Sequence, residues 1–413
     1  MNKNFTLLLA VVAIISAQSI SAQSNNLSGS PYSLFGLGTA NYTNSGLSTG
    51  TSLSGTAWNS AYFYNGINPA TLSSLQDKIF IMDIGLKTEL NKISNNDTSE
   101  SVSVSNFSNL SFATKTGQRS GVSLSLTPSS TVGYSLTGQV DNIEGSTEEY
   151  ITSVSGSGGI NELNLSYGYK LTDKLNLGFG MQYLFGSIKQ EESIETWEAS
   201  IDIDETNYYS GIGLRLGATY QLTKNLTFGA LTDLQTTMNG RMDRTITKSK
   251  YGVSSEVESE EGTQIDDFTL PWRMGFGLNY SFLKKFVVDI DYNKRFWSVT
   301  DQTDDIGTYK DQSIYNFSFK YFNAQPRNYL ESVILLAGFN YDTGYLEIDH
   351  KSISNTSATF GIGIPIGGRS ILNINYTHGL SGESGNLLIQ ENYNTININL
   401  NLTDLWFQKR WIN

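Results

Sequence analysis

The 413-residue chain has no cysteine and only two histidines, His350 and His378. Without cysteine, disulfide bonds and cysteine-based metal sites are excluded. No strand–turn–helix elbow is predicted around a serine, and no spacing of acidic residues matches a defined metal-binding loop, so we predict no catalytic residue, no metal site and no cofactor; a Ser–His pair is the alternative left open. Basic residues are in the minority, 27 against 39 acidic ones. This balance argues against a nucleic acid partner, which requires a basic surface.

Long apolar runs are absent beyond the N-terminus, so the sequence predicts no transmembrane helix. Residues 1–22 have the pattern of a secretory signal peptide. Lys3 provides the positive charge, residues 5–15 form the apolar core, and Ser21 and Ala22 provide small residues before the expected cleavage site. We therefore expect the mature protein to lie outside the inner membrane.

Strict alternation of apolar and small or polar residues dominates the rest of the chain. It is clearest over residues 175–186, where every second residue is apolar: Leu175, Leu177, Phe179, Met181, Tyr183 and Phe185. A period of two predicts a β-strand with one apolar face, and about 9–11 residues suffice to cross a membrane as a tilted strand. The pattern favours a transmembrane β-barrel. The alternative is a large soluble all-β protein that buries the apolar face in a core.

The recurring pattern predicts an all-β fold, a 14-stranded antiparallel barrel over residues 76–403. The expected strands are 78–90, 104–115, 120–138, 146–171, 174–190, 205–222, 225–247, 265–283, 285–299, 311–323, 331–348, 356–366, 370–380 and 392–403. Splitting the fourth strand at Gly156 to Gly159 would give fifteen. Short turns alternate with longer polar connections, as in outer-membrane barrels.

The longer connections are predicted at residues 191–204, 248–264, 300–310, 348–355 and 381–391. Two of them are rich in Asp and Glu, which we interpret as solvated surface; a site for a divalent cation is the alternative. Residues 404–413 extend beyond the last predicted strand. Their Trp, Phe and basic residues suit the membrane interface or a partner protein.

Residues 23–75 lack strand periodicity but are too aromatic for a polar linker. The aromatic residues are Tyr32, Phe35, Tyr42, Trp58, Tyr62, Phe63 and Tyr64. We predict that this segment packs inside the barrel as a plug. The alternative is a disordered periplasmic tail.

Two parts of this segment resemble the N-terminal hatch of FadL/TodX-type transporters. They are residues 30–38, SPYSLFGLG, followed by Gly46 and Gly50, and residues 64–70, YNGINPA. Asn68, Pro69 and Ala70 match the most recognisable short motif of that family. The resemblance implies a 14-stranded outer-membrane barrel of a Gram-negative bacterium. Such barrels carry long-chain fatty acids or other small hydrophobic molecules.

Pro128 interrupts the third predicted strand, and because proline cannot donate a ladder hydrogen bond it forces a bulge or kink. The family resemblance implies that Thr127, Pro128 and Ser129 form an inward kink that opens a lateral gap in the wall. The alternative is that Pro128 lies outside the membrane.

These observations favour passive uptake of a hydrophobic molecule, with a mobile hatch and lateral release into lipid. Outer-membrane lipids and lipopolysaccharide are the expected surroundings of the barrel. The predicted ligand contacts are Phe35, Tyr62, Phe63, Tyr64, Arg215 and Arg273. Small inward residues, among them Gly178, Gly180, Gly213, Gly217, Gly275, Gly277, Gly361 and Gly363, favour a plugged lumen over an open pore. The alternative function is an accessory subunit of an envelope secretion or assembly complex, with envelope proteins as partners.

Overall fold

The computed structural model describes residues 28–405, apart from 42–45, 96, 97, 144, 147, 305, 324, 368, 386 and 387. The predicted signal peptide, Tyr42 and residues 406–413 of the predicted C-terminal extension lie outside the described residues. Within the described part of the chain, no helix is long and apolar enough to cross a membrane.

Fourteen antiparallel strands form one closed barrel, which confirms the predicted fold class and strand count. They are β1 (Ile79–Ser94), β2 (Ser99–Lys115), β3 (Ser120–Pro128 and Ser130–Asn142), β4 (Glu149–Lys170), β5 (Leu175–Glu195), β6 (Ala199–Gln221), β7 (Leu226–Asp233 and Thr236–Lys250), β8 (Val253–Leu270 and Trp272–Phe282), β9 (Phe286–Phe296), β10 (Gln312–Tyr321), β11 (Ile334–Asp342), β12 (Asn355–Gly367), β13 (Ser370–Ser381) and β14 (Gln390–Leu405). Each pairs with the next, and β1 pairs with β14 to close the barrel. β4 is continuous through Gly156 to Gly159, so the fifteen-strand alternative is wrong.

The apolar face of the strands lies on the outside of the barrel. On β5, for example, Leu177, Phe179 and Met181 are exposed, whereas the intervening Gly180 and Gln182 are buried. An outward apolar band is typical of transmembrane barrels. The soluble alternative is therefore wrong, because the apolar residues do not lie between stacked sheets.

Two predicted loops, 191–204 and 248–264, are strands instead. β5 and β6 stay paired as far as Glu195 and Ser200, and β7 and β8 as far as Lys250 and Val253. These stretches carry no regular apolar face, because they extend beyond the apolar band. Their cross-strand ion pairs, such as Lys189 with Asp204 at 3.6 Å, are those of a solvated sheet. We call residues 130–142, 149–160, 186–195, 199–210, 239–250 and 253–265 the projecting sheet.

The predicted strand 331–348 is also too long. β11 ends at Asp342, and Leu346–Ile348 instead joins a separate three-stranded sheet with Gly307–Tyr309 and Lys351–Ser352. We call this the cap sheet. It lies at the same end of the barrel as the projecting sheet, which we call the loop end.

The barrel wall parts between β2 and β3. The two strands pair only from Leu110 to Lys115 on β2, and β3 breaks at Ser129 directly after Pro128. Beyond the break, β3 pairs with β4 on one side and with the short N-terminal strand Thr39–Ala40 on the other. Within the described residues, the loop-end half of β2 therefore has only β1 as a strand neighbour.

Candidate functional site

Asn68 ties the N-terminal segment, residues 28–75, to the barrel wall. It caps the 3₁₀-helix Pro69–Ser74, since its side-chain oxygen accepts a hydrogen bond from the Ala70 backbone N–H at 3.0 Å. Its amide nitrogen is within hydrogen-bond distance of the carbonyls of Thr56 (2.8 Å), Ala218 (3.2 Å) and Ala230 (3.2 Å). Asn68 is fully buried. One side chain thus fixes the helix start and holds it against β6 and β7.

Glycines on the inward face of the wall make room for this segment. A Cβ atom added at Gly178 would overlap the backbone of Pro69 and Ala70, and one at Gly217 would overlap Asn68. The same holds around the barrel: Gly121 faces Leu72, Gly168 faces Pro69, Gly229 faces Thr56, and Gly338 faces Thr51. At these positions the segment therefore packs directly against the backbone of the wall. The predicted inward glycines Gly178, Gly217 and Gly277 belong to this surface.

Charged side chains from the wall also hold the segment. Asp291 on β9 accepts hydrogen bonds from the backbone N–H groups of Gly55 (2.5 Å) and Thr56 (3.0 Å). Lys320 on β10 pairs with Asp289 at 2.8 Å and lies 3.8 Å from the centre of the Trp58 ring. A cation over an aromatic face, with its counter-ion beside it, compensates the burial of both charges.

A second anchor lies on the opposite wall. Asp83 on β1 accepts a hydrogen bond from the Gly46 backbone N–H at 3.0 Å, and from the side-chain amides of Asn109 (2.5 Å) and Asn401 (3.2 Å). All of these side chains are buried. The anchors come from β1, β9 and β10, so the segment is held across the whole lumen.

Residues 28–41 fill the gap in the wall. Gly29 lies against Val102 and Val104 of β2, and the Ser28 backbone packs against Gly133 of β3. Thr39–Ala40 adds a strand to the broken end of β3. The strand is interrupted at Ser129, directly after Pro128, and the N-terminal segment covers this break. That Thr127, Pro128 and Ser129 form an inward kink for lateral passage stays a prediction.

A cavity of about 220 Å³ lies beside the break. Thr127, Pro128 and Ser129 line one side of it. The remaining lining divides into an apolar part, which includes Leu37, Ile67, Ile160, Leu184, Met238, Phe268 and Leu270, and a charged part, which includes Glu162, Arg215, Asp233, Arg273 and Arg295. The cavity is therefore amphipathic.

The charged part is an ion-pair cluster on β4, β6, β7 and β8. Arg215 binds Asp233 through two hydrogen bonds of 2.6 and 3.1 Å, and Arg273 shares the same carboxylate at 3.3 Å. Glu162 lies 3.9 Å from Arg215. Arg295 on β9 also lines the cavity beside this cluster. Such a cluster suits an anionic group, because arginine binds carboxylates in a bidentate manner.

Aromatic side chains close the loop end above the cavity. Trp297 stacks on Tyr345 at 4.8 Å and on Tyr309 at 5.2 Å between ring centres, and Phe268 meets Trp297 edge-on. Tyr32 and Phe35 of the N-terminal segment pack in the same cluster. Burial raises the pKa of Tyr32 to about 12, although the hydrogen bond with the Ile389 backbone opposes the shift. Burial beside Asp304 likewise raises the pKa of Tyr309, so both tyrosines are neutral at pH 7.

The predicted ligand contacts fall in three places. Arg215, Arg273 and Tyr64 line the cavity, and Phe35 lies in the aromatic cluster next to it. Tyr62 and Phe63 lie elsewhere: Phe63 packs with Trp58 and Phe322, and Tyr62 lies under Arg369. Whether any of them contacts a ligand stays a prediction. Sequence reasoning missed Asp233, Glu162, Trp297 and Tyr345, which come from distant strands or loops and share no local pattern.

The described residues contain no cluster of three or more His, Asp or Glu side chains placed to hold a metal ion. The acidic residues of the projecting sheet are spread along two hairpins instead.

Comparison with solved structures finds this fold in several proteins of low sequence identity. The P. putida toluene transporter TodX is 16% identical, with 89% of this chain and 99% of that chain covered and a TM-score of 0.62. The CymD monoaromatic hydrocarbon channel is 17% identical, with coverages of 91% and 100% and a TM-score of 0.59. A Pseudomonas aeruginosa FadL homologue is 12% identical, with coverages of 89% and 99% and a TM-score of 0.59. The FadL/TodX-type resemblance is therefore confirmed at the level of the fold.

Sequence comparisons give two further findings. A family model described as BamG matches residues 1–413. A search of curated proteins finds no match.

Proposed function

This chain belongs to the BamG family, and we propose that it is an outer-membrane barrel that passes small hydrophobic or amphipathic molecules through its wall. The proposed location follows from the outward apolar band and the predicted signal peptide. The observation that carries the proposal is the amphipathic cavity beside the broken third strand. A ligand in that cavity would lie next to the place where the wall parts.

The ligand class follows from the size and chemistry of the cavity. A cavity of about 150 Å³ holds benzene in a well-studied engineered protein, so about 220 Å³ accommodates a single aromatic ring or a short amphipath. TodX and CymD are described as a toluene transporter and a monoaromatic hydrocarbon channel, which supports this class. A long-chain fatty acid would need the N-terminal segment to move. The guanidinium groups of Arg215 and Arg273 that line the cavity favour ligands with a carboxylate at one end.

The proposed exit path runs through the gap between β2 and β3. Residues 28–41 cover this gap, so release requires their displacement. Their contacts there include the pairing of Thr39–Ala40 with β3 and the hydrogen bond from the Asn41 backbone N–H to the Ser129 carbonyl at 2.8 Å. Ser130 also donates a hydrogen bond to the Leu37 carbonyl at 2.5 Å, and Gly133 donates one to the Ser33 hydroxyl at 3.1 Å. Displacing this short stretch disturbs neither Asn68 nor the anchors at Asp83 and Asp291. Lateral release therefore needs only the first part of the segment to move.

The test is uptake of a radiolabelled monoaromatic carboxylate, benzoate, and of a long-chain fatty acid, palmitate, by an expressing strain. We expect faster benzoate uptake than in a strain without the barrel. Disulfide locking of the gap should abolish the difference, with Gly29→Cys and Val102→Cys as the pair, since the chain has no cysteine of its own. Reduction of this disulfide should restore the faster uptake. Equal uptake with and without the barrel would refute the proposal.

A second candidate is an accessory subunit of an envelope assembly, favoured by the projecting sheet. β4, β5 and β6 have 22, 21 and 23 residues, whereas β9, β10 and β11 have 11, 10 and 9. Transport of a small molecule gives no reason for such long strands. Trp197 lies fully exposed at the tip of the β5–β6 hairpin. Photocrosslinking from position 197 in intact cells would give a discrete heavier species under this function, and none if the barrel acts alone.

A further inference from the structure

A line of glycines crosses the wall where the barrel meets the projecting sheet. It comprises Gly158 and Gly159 on β4, Gly186 on β5, Gly240 on β7 and Gly262 on β8. Gly158 (φ 114°), Gly159 (φ 147°) and Gly262 (φ 63°) adopt backbone angles that favour glycine. A Cβ atom at Gly186 would overlap the Gly159 carbonyl. At Gly158, Gly159 and Gly186 the neighbouring backbone is so close that only glycine fits, whereas at Gly262 the backbone angle alone favours glycine.

The glycine line forms a crease on the outer face of the wall, with a volume of about 1010 Å³. Tyr183, Phe185 and Tyr208 line its apolar part, and Tyr183 stacks on Phe185 at 5.3 Å. Arg241, Asn239 and Gln264 line its polar part. Cross-strand pairing places Tyr208 directly beside Arg241, and Arg241 beside Gln264.

The crease sits at the upper edge of the apolar band. On β5 the outward residues are apolar up to Phe185, and the next ones are Ser187 and Lys189. Aromatic residues mark the level of the lipid headgroups in transmembrane barrels. The aromatic side chains of the crease therefore lie at the boundary between acyl chains and headgroups, and Arg241 lies level with Tyr208, one step beyond Phe185 on the headgroup side.

On the outer face at the crease, Arg241 is the cationic side chain that has no ion-pair partner among the described residues. Lys189 pairs with Glu191 and Asp204. Asp243, two residues along, accepts a hydrogen bond from the Gly262 backbone N–H at 2.7 Å. Arg241 is exposed and makes no ion pair with another described residue. Its guanidinium group is therefore available to an anion from outside the protein.

We propose that the crease binds the phosphate-bearing headgroup of a membrane lipid. Arg241 would bind the phosphate, and the acyl chains would continue down the Tyr183–Phe185 stack along the apolar band. Arginine is suited to phosphate because its planar group donates two parallel hydrogen bonds. The inference rests on the proposed membrane location but not on transport, since the crease lies outside the lumen.

The test compares lipids by native mass spectrometry on the full-length mature protein in detergent. Phosphatidic acid and diacylglycerol with the same acyl chains differ only in the phosphate. We expect the wild type to bind phosphatidic acid more tightly. Arg241→Gln should weaken that binding about tenfold, the scale of a lost hydrogen bond to a charged group, and Arg241→Lys should weaken it less.

The matched control is Arg244→Gln, three residues along the same strand. Arg244 faces the opposite side of the sheet and binds Glu258 at 3.2 Å, so its loss should leave lipid binding unchanged. Equal binding by the wild type and Arg241→Gln would overturn the proposal. So would displacement of the lipid by equimolar inorganic phosphate, which would make the crease a simple anion site. Benzoate uptake is measured in a separate experiment, so the transport proposal and the lipid-binding proposal can each fail without the other.

Discussion

Gly178→Ala should displace the N-terminal segment without altering the barrel. The added methyl group would overlap backbone atoms of Pro69 and Ala70, which cannot rotate away as a side chain can. The segment must therefore shift, and Asn68, one residue before Pro69, loses alignment with its carbonyl partners. Overpacking of this kind typically costs about 1–3 kcal/mol. The outward face of β5 and its hydrogen-bonded ladder are untouched.

The displacement can be read as thiol accessibility, because the chain has no cysteine. Ser73 is buried in the 3₁₀-helix after the motif, so Ser73→Cys reports opening of the segment. If labelling follows the open population, a cost of about 1–3 kcal/mol raises the labelling rate by roughly 5- to 150-fold. The measurement is the rate of maleimide labelling of the folded barrel in detergent.

Gly180→Ala is the matched control. Gly180 lies two residues along the same strand and on the same inward face, but an added Cβ would meet only side-chain atoms, the nearest at 3.1 Å. We expect its labelling rate to stay within about twofold of the wild type, because side chains can adjust where backbone cannot. Equal rates in Gly178→Ala and the wild type would refute the reasoning. A Gly180→Ala effect as large as that of Gly178→Ala would refute it too.

Three further substitutions test other contacts. Asn68→Ala removes a helix cap and leaves buried carbonyls without their donor, which should cost about 2–4 kcal/mol and raise labelling at Ser73→Cys; unchanged labelling would contradict the anchoring role. Asp233→Asn leaves Arg215 and Arg273 without their shared carboxylate. This loss should destabilise the barrel by about 3 kcal/mol, which heat-dependent gel mobility would show as a lower unfolding temperature. An unchanged unfolding temperature would contradict a stabilising role of the ion-pair cluster. Trp297→Ala should loosen the aromatic cluster at a cost of about 3 kcal/mol and increase the rate of proteolysis at residues 300–310. An unchanged rate of proteolysis would show that other contacts hold the cap sheet.

The sequence predicts the barrel well because the lipid imposes a simple rule on it. Every membrane-crossing strand must present apolar residues at every second position, as Leu177, Phe179 and Met181 do on β5. This alternation ends where the strands leave the membrane. At Glu191 and Glu258 the strands continue in water, where both faces carry polar residues. The sequence pattern there resembles that of a loop, although the strands remain paired.

The site is predicted only in part, because its residues converge from distant places. Asn68 and Pro128 stand out locally, one in a short motif and one as a break in a strand. Asp233 has no such signal: its partners Arg215 and Arg273 lie 18 and 40 positions away in the chain, and they become neighbours only through the strand register. Likewise, Tyr62 and Phe63 have the composition expected of ligand contacts but pack away from the cavity.

The way the segment is held determines what its displacement would cost. Its anchors are mainly polar: Asn68, Asp83, Asp291 and the Lys320–Asp289 pair. In a dry lumen, breaking such contacts leaves buried groups without partners, at about 1–3 kcal/mol each, whereas water that enters can replace the lost partners and lower this cost to about 0.5–1.5 kcal/mol. The aromatic cluster around Trp297 covers the loop end above the cavity beside the strand break, so it limits the access of water to that side of the segment. We therefore expect opening of the cap and movement of the segment to be coupled, so that Trp297→Ala raises labelling at Ser73→Cys although the two positions are not in contact.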